Sequence, residues 1–371
     1  MLMQIISAVS HSRSFELQAE VLKNSGLNLH YVLLNSEGSN LEKFLRELGI
    51  PVTQINLAGK KSWPQILFKL TLVMLRHKPS IVQCHLFDAA ILGLIAGRIL
   101  GIKRLVLTRH HGNIFRKNFA TYSKKGIVWD YLTNTLATEI VVNSKTVKNV
   151  LVRYEGIHPD KVTVHNHILP IEEFKRKDFN LIESLREKYN LHIKSLVIGV
   201  VSRLDEWKGV EYTVSAFQKL ALEHPQAVLV IANAKGAQES KIKNMLNDLP
   251  SSCWRLIEFE ERMEALYHCF DIFVHVPVDA DVEAFGQVYI EALAAGIPCI
   301  FTASGIANEI QPSDEVCKFV PYRDEQAIFL AIKNILMDEG FKEKGNQSGY
   351  EYAMDRFSVV ALDKNLIRYY K

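Results

Sequence analysis

Short apolar runs alternate with longer helical patterns from one end of this 371-residue chain to the other. In the first half the runs are Gln4–Val9, Leu29–Leu34, Val52–Leu57, Ile81–His85, Arg104–Thr108, Glu139–Asn143 and Val162–His165. In the second they are Leu196–Val201, Ala227–Ala232, Trp254–Glu258, Asp271–Val276, Pro298–Thr302 and Val316–Val320. They are almost continuously apolar, as strands buried on both faces must be, and helix-length segments separate them. That combination calls for parallel sheets covered by helices on both sides. A polar stretch, Glu172–Asn180, interrupts the alternation, which then restarts. The expected architecture is α/β: two doubly wound, Rossmann-like domains, 1–170 and 171–354, facing each other across a cleft. A last helix, at about 355–371, is expected to pack back on the first domain.

The length exceeds what one ordinary core can hold, which agrees with two domains. A composition 48% hydrophobic and 23% charged is that of a globular chain, not a disordered one. No run of 18 apolar residues occurs, so no membrane span is expected, and Met1–Ile6 reads as a first buried strand rather than a leader. Five scattered cysteines without a C-x-x-C pair read as reduced core residues of a cytoplasmic protein. The net charge of +3 hides an asymmetry: residues 1–170 carry 21 Lys and Arg against 10 Asp and Glu, a balance of +11, leaving −8 for the rest. Within the basic half, an apolar helical run between Trp63 and Arg76 has basic ends. It fits either a core-packing helix or one that docks on an anionic membrane surface.

In open α/β sheets, ligands sit beyond the carboxyl ends of strands. Two segments there carry chemistry. In Glu283–Glu291, two carboxylates stand eight positions apart around Gly286 and the start of a helix-forming run. Eight helical residues would set them about 12 Å apart near one face. A helix starting near Gly286 would aim its unpaired N–H groups at a phosphate, with one acid just before that pocket and the other inside the helix. An ordinary amphipathic helix with an acid in its first turn fits the same letters. The second segment follows Leu196–Val201, where Arg203 and Lys208 stand five apart, ahead of Gly209. A guanidinium grips two phosphate oxygens and an ammonium acts as a point charge, so the pair suits a diphosphate; a surface loop paired with Asp205 and Glu206 is the plainer alternative.

These segments resemble the retaining GT-B glycosyltransferases of family 4. The matching residues are Gly199–Leu204 with Lys208-Gly209, Asp271–Val274, Glu283–Gly286 with Glu291–Pro298, and Ser304-Gly305 with Asn308-Glu309; Asn143-Ser144 with Val147 adds a weaker match in the first half. The resemblance implies a nucleotide-diphosphate sugar as donor and no metal cofactor, because Arg203 and Lys208 neutralise the diphosphate. It further implies that Glu291 binds the ribose hydroxyls, that Glu283 contacts the donor sugar, and that Phe285, Gly286 and Gln287 contact sugar and phosphate through the backbone. The first domain would supply a histidine near the sugar, His110 or His111; a neutral imidazole after a strand can donate to a hydroxyl. Acceptor-side positions are Arg13, Ser14, Glu16 and His85.

Three stretches depart from the family pattern. Its glycine pair in the first strand–helix loop is replaced by Ser10–Glu16, with only Glu16 in place, and Arg13 could take over some phosphate contact. The Asn-Gly-Ile/Val-Asp turn reads Asn166-His167-Ile168-Leu169, and a glycine-rich loop reads Asn233–Gly236. The expected partner is a glycan or lipid-linked acceptor, at the inner face of the cytoplasmic membrane, as in surface polysaccharide assembly. Competing readings are a sugar-nucleotide epimerase or hydrolase, and a non-catalytic nucleotide-sugar-binding subunit. A dinucleotide oxidoreductase lacks its G-x-G-x-x-G, and nucleic-acid binding lacks a recognised module.

Overall fold

A computed structural model describes residues 1–35, 38–110, 124–192, 195–310 and 316–371. Its chain divides into two compact units, Met1–Leu169 with Val359–Lys371, and Pro170–Ser358. Each unit is built on one parallel sheet.

In the first unit the strands are β1 (Leu2–Ser7), β2 (Leu29–Leu34), β3 (Val52–Gln54), β4 (Ile81–His85), β5 (Arg104–Arg109), β6 (Glu139–Val142) and β7 (Val162–Val164). Their order is β3-β2-β1-β4-β5-β6-β7, all parallel. In the second unit β8 (Val197–Val201), β9 (Val228–Ala232), β10 (Trp254–Ile257), β11 (Ile272–His275), β12 (Cys299–Phe301) and β13 (Lys318–Phe319) run in the order β10-β9-β8-β11-β12-β13. The order reverses between β1 and β4 and between β8 and β11. At such a switch point the two neighbouring crossovers leave on opposite faces and open a crevice at the carboxyl ends. Every expected strand is present, β2 and β4 with the expected bounds and the others with ends shifted by at most three residues; β13 keeps only two residues.

The helices follow from apolar periodicity and capping. Ser144 accepts from the Val147 N–H at 3.1 Å and starts Lys145–Glu155, which Gly156 closes in the left-handed region. Asp324 likewise accepts from Ala327 N and starts Glu325–Met337. The polar stretch Glu172–Asn180 is largely helical: it forms most of Ile171–Lys175 and opens Phe179–Lys188, and Phe174 is buried against the Tyr267 ring at 5.7 Å. A helix at Lys124–Leu136 was not expected; its Lys-Lys-Gly start carries no apolar period.

The last segment, Val359–Lys371, belongs to the first unit because its aromatic end is buried there. Tyr370 is buried and its hydroxyl donates to Gln83, whose side-chain oxygen also accepts from Gln4 at 3.0 Å. Tyr369 donates to Glu139 at 2.7 Å, and Arg104 donates to the Tyr369 carbonyl at 2.6 Å. Removing one buried donor costs about 1–2 kcal/mol. Tyr370→Phe is therefore expected to lower the stability of the first unit by about that much, read from the shift of the urea unfolding midpoint.

Candidate active site at the switch point of the second unit

The loop after β8 folds back on the exit of β11. Val278 N donates to the Trp207 carbonyl at 3.0 Å, which locks loop to loop. Gly209 has φ +67°, and a Cβ there would run into the Val276 carbonyl, so the close approach requires glycine. The turn Glu206–Lys208 thereby sets the Lys208 ammonium against Glu283. Three residues beyond Glu283, Gly286 adopts φ +78°, where a Cβ would lie 2.6 Å from the Tyr289 ring, and the helix Gln287–Ala294 begins. Phe285 is buried, and its carbonyl accepts from Ile306 N at 2.9 Å.

Lys208 and Glu283 form an ion pair, with side chains only 16% and 12% exposed. His275, the last residue of β11, is buried, and its Nε2 lies 3.3 Å from Glu283 Oε2. Ser304 Oγ accepts from the Glu283 backbone N–H at 3.2 Å. Burial alone would raise the Glu283 carboxyl, but the Lys208 charge and the His275 hydrogen bond outweigh it and hold it down at about 2. Burial keeps His275 itself neutral, the attraction of Glu283 notwithstanding. The carboxylate thus stays an ionised acceptor inside protein.

Glu291 behaves oppositely. The residue is half-buried, and Tyr267, wholly buried, donates to its Oε2 at 2.8 Å. Burial raises its carboxyl to about 7, and the tyrosine bond offsets only part of that. As expected, one acid, Glu283, precedes Gly286 and the other, Glu291, is on the helix; the eight-residue helical spacing between them does not apply, because Glu283 lies in the loop. Arg203 points outward, 64% exposed, paired with Asp205 at 2.9 Å and within 5.8 Å of the Trp207 ring centre. Arg203, Lys208, Glu283, Gly286, Gln287 and Glu291 all lie beyond β8 and β11, at one switch point. Among the described residues no three His, Cys, Asp or Glu group as a metal site would. None of the five cysteines is in a disulfide, and four are buried.

The first-unit residues divide differently. His110 follows β5 and is flanked by the Phe15 edge at 5.9 Å and by the parallel ring of His167 at 5.8 Å. His111 lies outside the described residues. Arg13 ion-pairs with Glu16 at 3.6 Å, and Glu16 is buried, with His11 at 3.3 Å. His85 is buried: its Nε2 bonds Gln4 at 2.7 Å, and burial, then His167, lowers it to about 3. It is a buried support under the strand ends, not an exposed contact. Sequence reading missed His275 and Tyr267, and it named Ser304 without giving it a role. A histidine closing a strand eight residues before Glu283 was the available signal for the first.

Two parallel sheets that each switch order, with charged loops at the strand exits of the second, have the architecture of the GT-B class. Residues 182–352 match the glycosyl transferases group 1 family and residues 12–169 match Glycosyltransferase Family 4. The chain belongs to the family 4, group 1 glycosyltransferases. It is 24% identical over 373 residues to the capsular polysaccharide biosynthesis glycosyltransferase CapM of Staphylococcus aureus, covering 96% of this chain and 93% of CapM. Anabaena Alr3699/HepE, solved with UDP-glucose, superposes with a TM-score of 0.81 at 19% identity, covering 100% of this chain and 99% of that one. The UDP-GlcNAc 2-epimerase of Neisseria meningitidis, solved with UDP-GlcNAc, superposes at 0.64 and 17% identity, covering 99% and 98%. Likeness at such identity carries the fold alone.

The two glutamates predict opposite pH dependences of stability. Glu283 binds fewer protons folded than unfolded, so its contribution is present above pH 4.5 and is lost as pH falls through about 2. Glu291 binds more protons folded, so its contribution is full below pH 4.5 and is lost as pH rises through about 7. Thermal unfolding midpoints measured from roughly pH 3 to 8 should show Glu291→Gln flattening the decline towards neutrality, and Glu283→Gln weakening the acid limb.

Proposed function

We propose that the protein is a retaining glycosyltransferase that moves a hexosyl or N-acetylhexosaminyl group from a nucleotide diphosphate to a glycan, with a lipid-linked surface polysaccharide precursor as acceptor. The observation that carries this reading is the part-buried Lys208–Glu283 pair, backed by His275, at the β8–β11 switch point. CapM acts, by its name, in capsular polysaccharide biosynthesis, and HepE was solved in complex with UDP-glucose; uridine diphosphate sugars are therefore the first donors to test.

In this reading a diphosphate competes with Glu283 for the Lys208 ammonium, and Arg203 swings from Asp205 to the outer phosphate oxygens. A sugar hydroxyl replaces Lys208 as the partner of Glu283, which remains a carboxylate able to accept it. Helical N–H groups beyond Gly286 take further phosphate oxygens. As the glycosidic bond breaks, negative charge builds on the diphosphate, where two cations already stand, so no metal is needed to neutralise it. The departing phosphate oxygen takes the acceptor proton on the same face, which retains the anomeric configuration without a protein base. His110 donates to a sugar hydroxyl as a neutral imidazole, and Glu291 holds the ribose.

Lys208→Ala and Glu283→Ala are each expected to lower kcat on the order of a hundredfold or more, with circular dichroism unchanged. Full transfer in either variant would remove the site. A wild-type reaction that releases free or epimerised sugar, and transfers none to any acceptor, would favour the epimerase or hydrolase reading instead.

The acceptor side draws support from the helix Trp63–His77. Ile66, Leu70 and Met74 are buried, while Phe68, Leu72 and Leu75 are 64%, 48% and 52% exposed along a second stripe. Lys61, Lys69, Arg76 and Lys78 are exposed beside it. An apolar stripe edged by cations suits the surface of an anionic bilayer; no helix among the described residues is long and apolar enough to cross one. Co-sedimentation with phosphatidylglycerol vesicles should be salt-sensitive and should fall several-fold in Phe68→Asp; equal binding of wild type and variant would discard this surface.

A further inference from the structure

Two of the stretches that depart from the family pattern meet in the first unit. Ser14, in the loop without its glycine pair, and His167, where the family turn has glycine, are 3.1 Å apart from Oγ to Nδ1. The far ring nitrogen of His167, Nε2, lies 3.1 Å from Asn143 Nδ2. That amide nitrogen also donates to the His110 carbonyl, at 3.4 Å. A carbonyl oxygen can only accept, so the Asn143 side chain must turn its NH2 towards it. The same NH2 then donates to His167 Nε2, which therefore carries a lone pair. The His167 proton sits on Nδ1 and is donated to Ser14 Oγ.

The ring so fixed lies parallel to His110, with 8° between planes and 5.8 Å between centres. Phe15, next to Ser14, meets His110 edge-on from another side at 5.9 Å and also meets His85 at 5.1 Å. Asn166 Nδ2 donates to the Asn143 carbonyl at 3.0 Å, tying the turn after β7 to the end of β6. The backbone at His167 stays out of the left-handed region, so a side chain is carried there without strain. Burial lowers His167 to about 4, which agrees with a neutral ring.

We propose that His167 is a positioning residue. Held as the Nδ1–H tautomer between Ser14 and Asn143, it aims the His110 imidazole at the donor sugar, a wedge of side chain in place of a glycine turn. The two substitutions are one device: His167 needs an acceptor on its Nδ1 side, and the loop after β1 supplies the Ser14 hydroxyl there. This rests on His110 being the sugar-contacting histidine, and the test separates the two ideas.

The experiment uses the full chain with His167→Gly, Ser14→Ala, Ser14→Thr, His110→Ala and the His110→Ala/His167→Gly double variant. Transfer kinetics and histidine-selective 15N NMR are recorded on each. Wild type should show the His167 ring protonated on Nδ1, and the His110 resonances should move in His167→Gly. His167→Gly should lower kcat about tenfold with the donor KM within about twofold, as loss of aim without loss of binding does. Ser14→Ala should follow it in part, Ser14→Thr should restore activity, and the double variant should be no slower than His110→Ala alone. A tenfold loss on top of His110→Ala, or unmoved His110 resonances in His167→Gly, would overturn the clamp. Full transfer by His110→Ala would instead remove the parent reading, with the resonances still deciding whether His167 holds the ring.

Discussion

A carboxylate kept ionised inside protein is the constraint around which the second unit's site is arranged. Burial by itself would protonate Glu283. The Lys208 charge prevents this, and Lys208 is in reach only because the loop after β8 closes on the exit of β11. That closure in turn needs Gly209 against the Val276 carbonyl. His275 adds a neutral donor, so Glu283 has a second hydrogen-bond partner besides Lys208. A pair of this kind is weak evidence for stability and better evidence for function, since two desolvated charges return little net energy to the fold.

The contrast with Glu291 shows that spacing does not set chemistry. Both residues are glutamates in one segment, yet one is held near 2 and the other near 7. The difference is the partner: an ammonium for Glu283, a neutral tyrosine hydroxyl for Glu291. Pairs of titratable groups driven apart in this way are characteristic of sites where protonation state matters.

The first unit uses neutral groups for the same purpose of organising strand ends. Gln4 and Gln83 look like flaws in apolar strands, but they are bonded to each other, and Gln83 donates to Thr108 at 2.7 Å. Gln4 accepts from His85, and Tyr370 closes the chain of bonds from the end of the sequence. A buried polar network of this type rigidifies when its members are satisfied and is costly when one is missing. The segment from Val359 is therefore part of the first unit energetically, although 189 residues of the second unit, Pro170–Ser358, precede it in the chain.

From sequence alone came every strand and the loops after β8 and β11 where the charged residues stand. These are local properties: apolar runs of strand length, helical periods, glycines where a turn needs them, and the rule that ligands meet strand ends. Local signals fail where pattern is weak, as in Lys124–Leu136, and polarity hides the helices that Glu172–Asn180 takes part in. Only the tertiary structure could pair His275 and Lys208 with Glu283, Tyr267 with Glu291, and Ser14 with His167 across 153 positions. Burial and partner choice arise when distant segments close on one another, and they decide which carboxyl is charged and which imidazole nitrogen holds the proton.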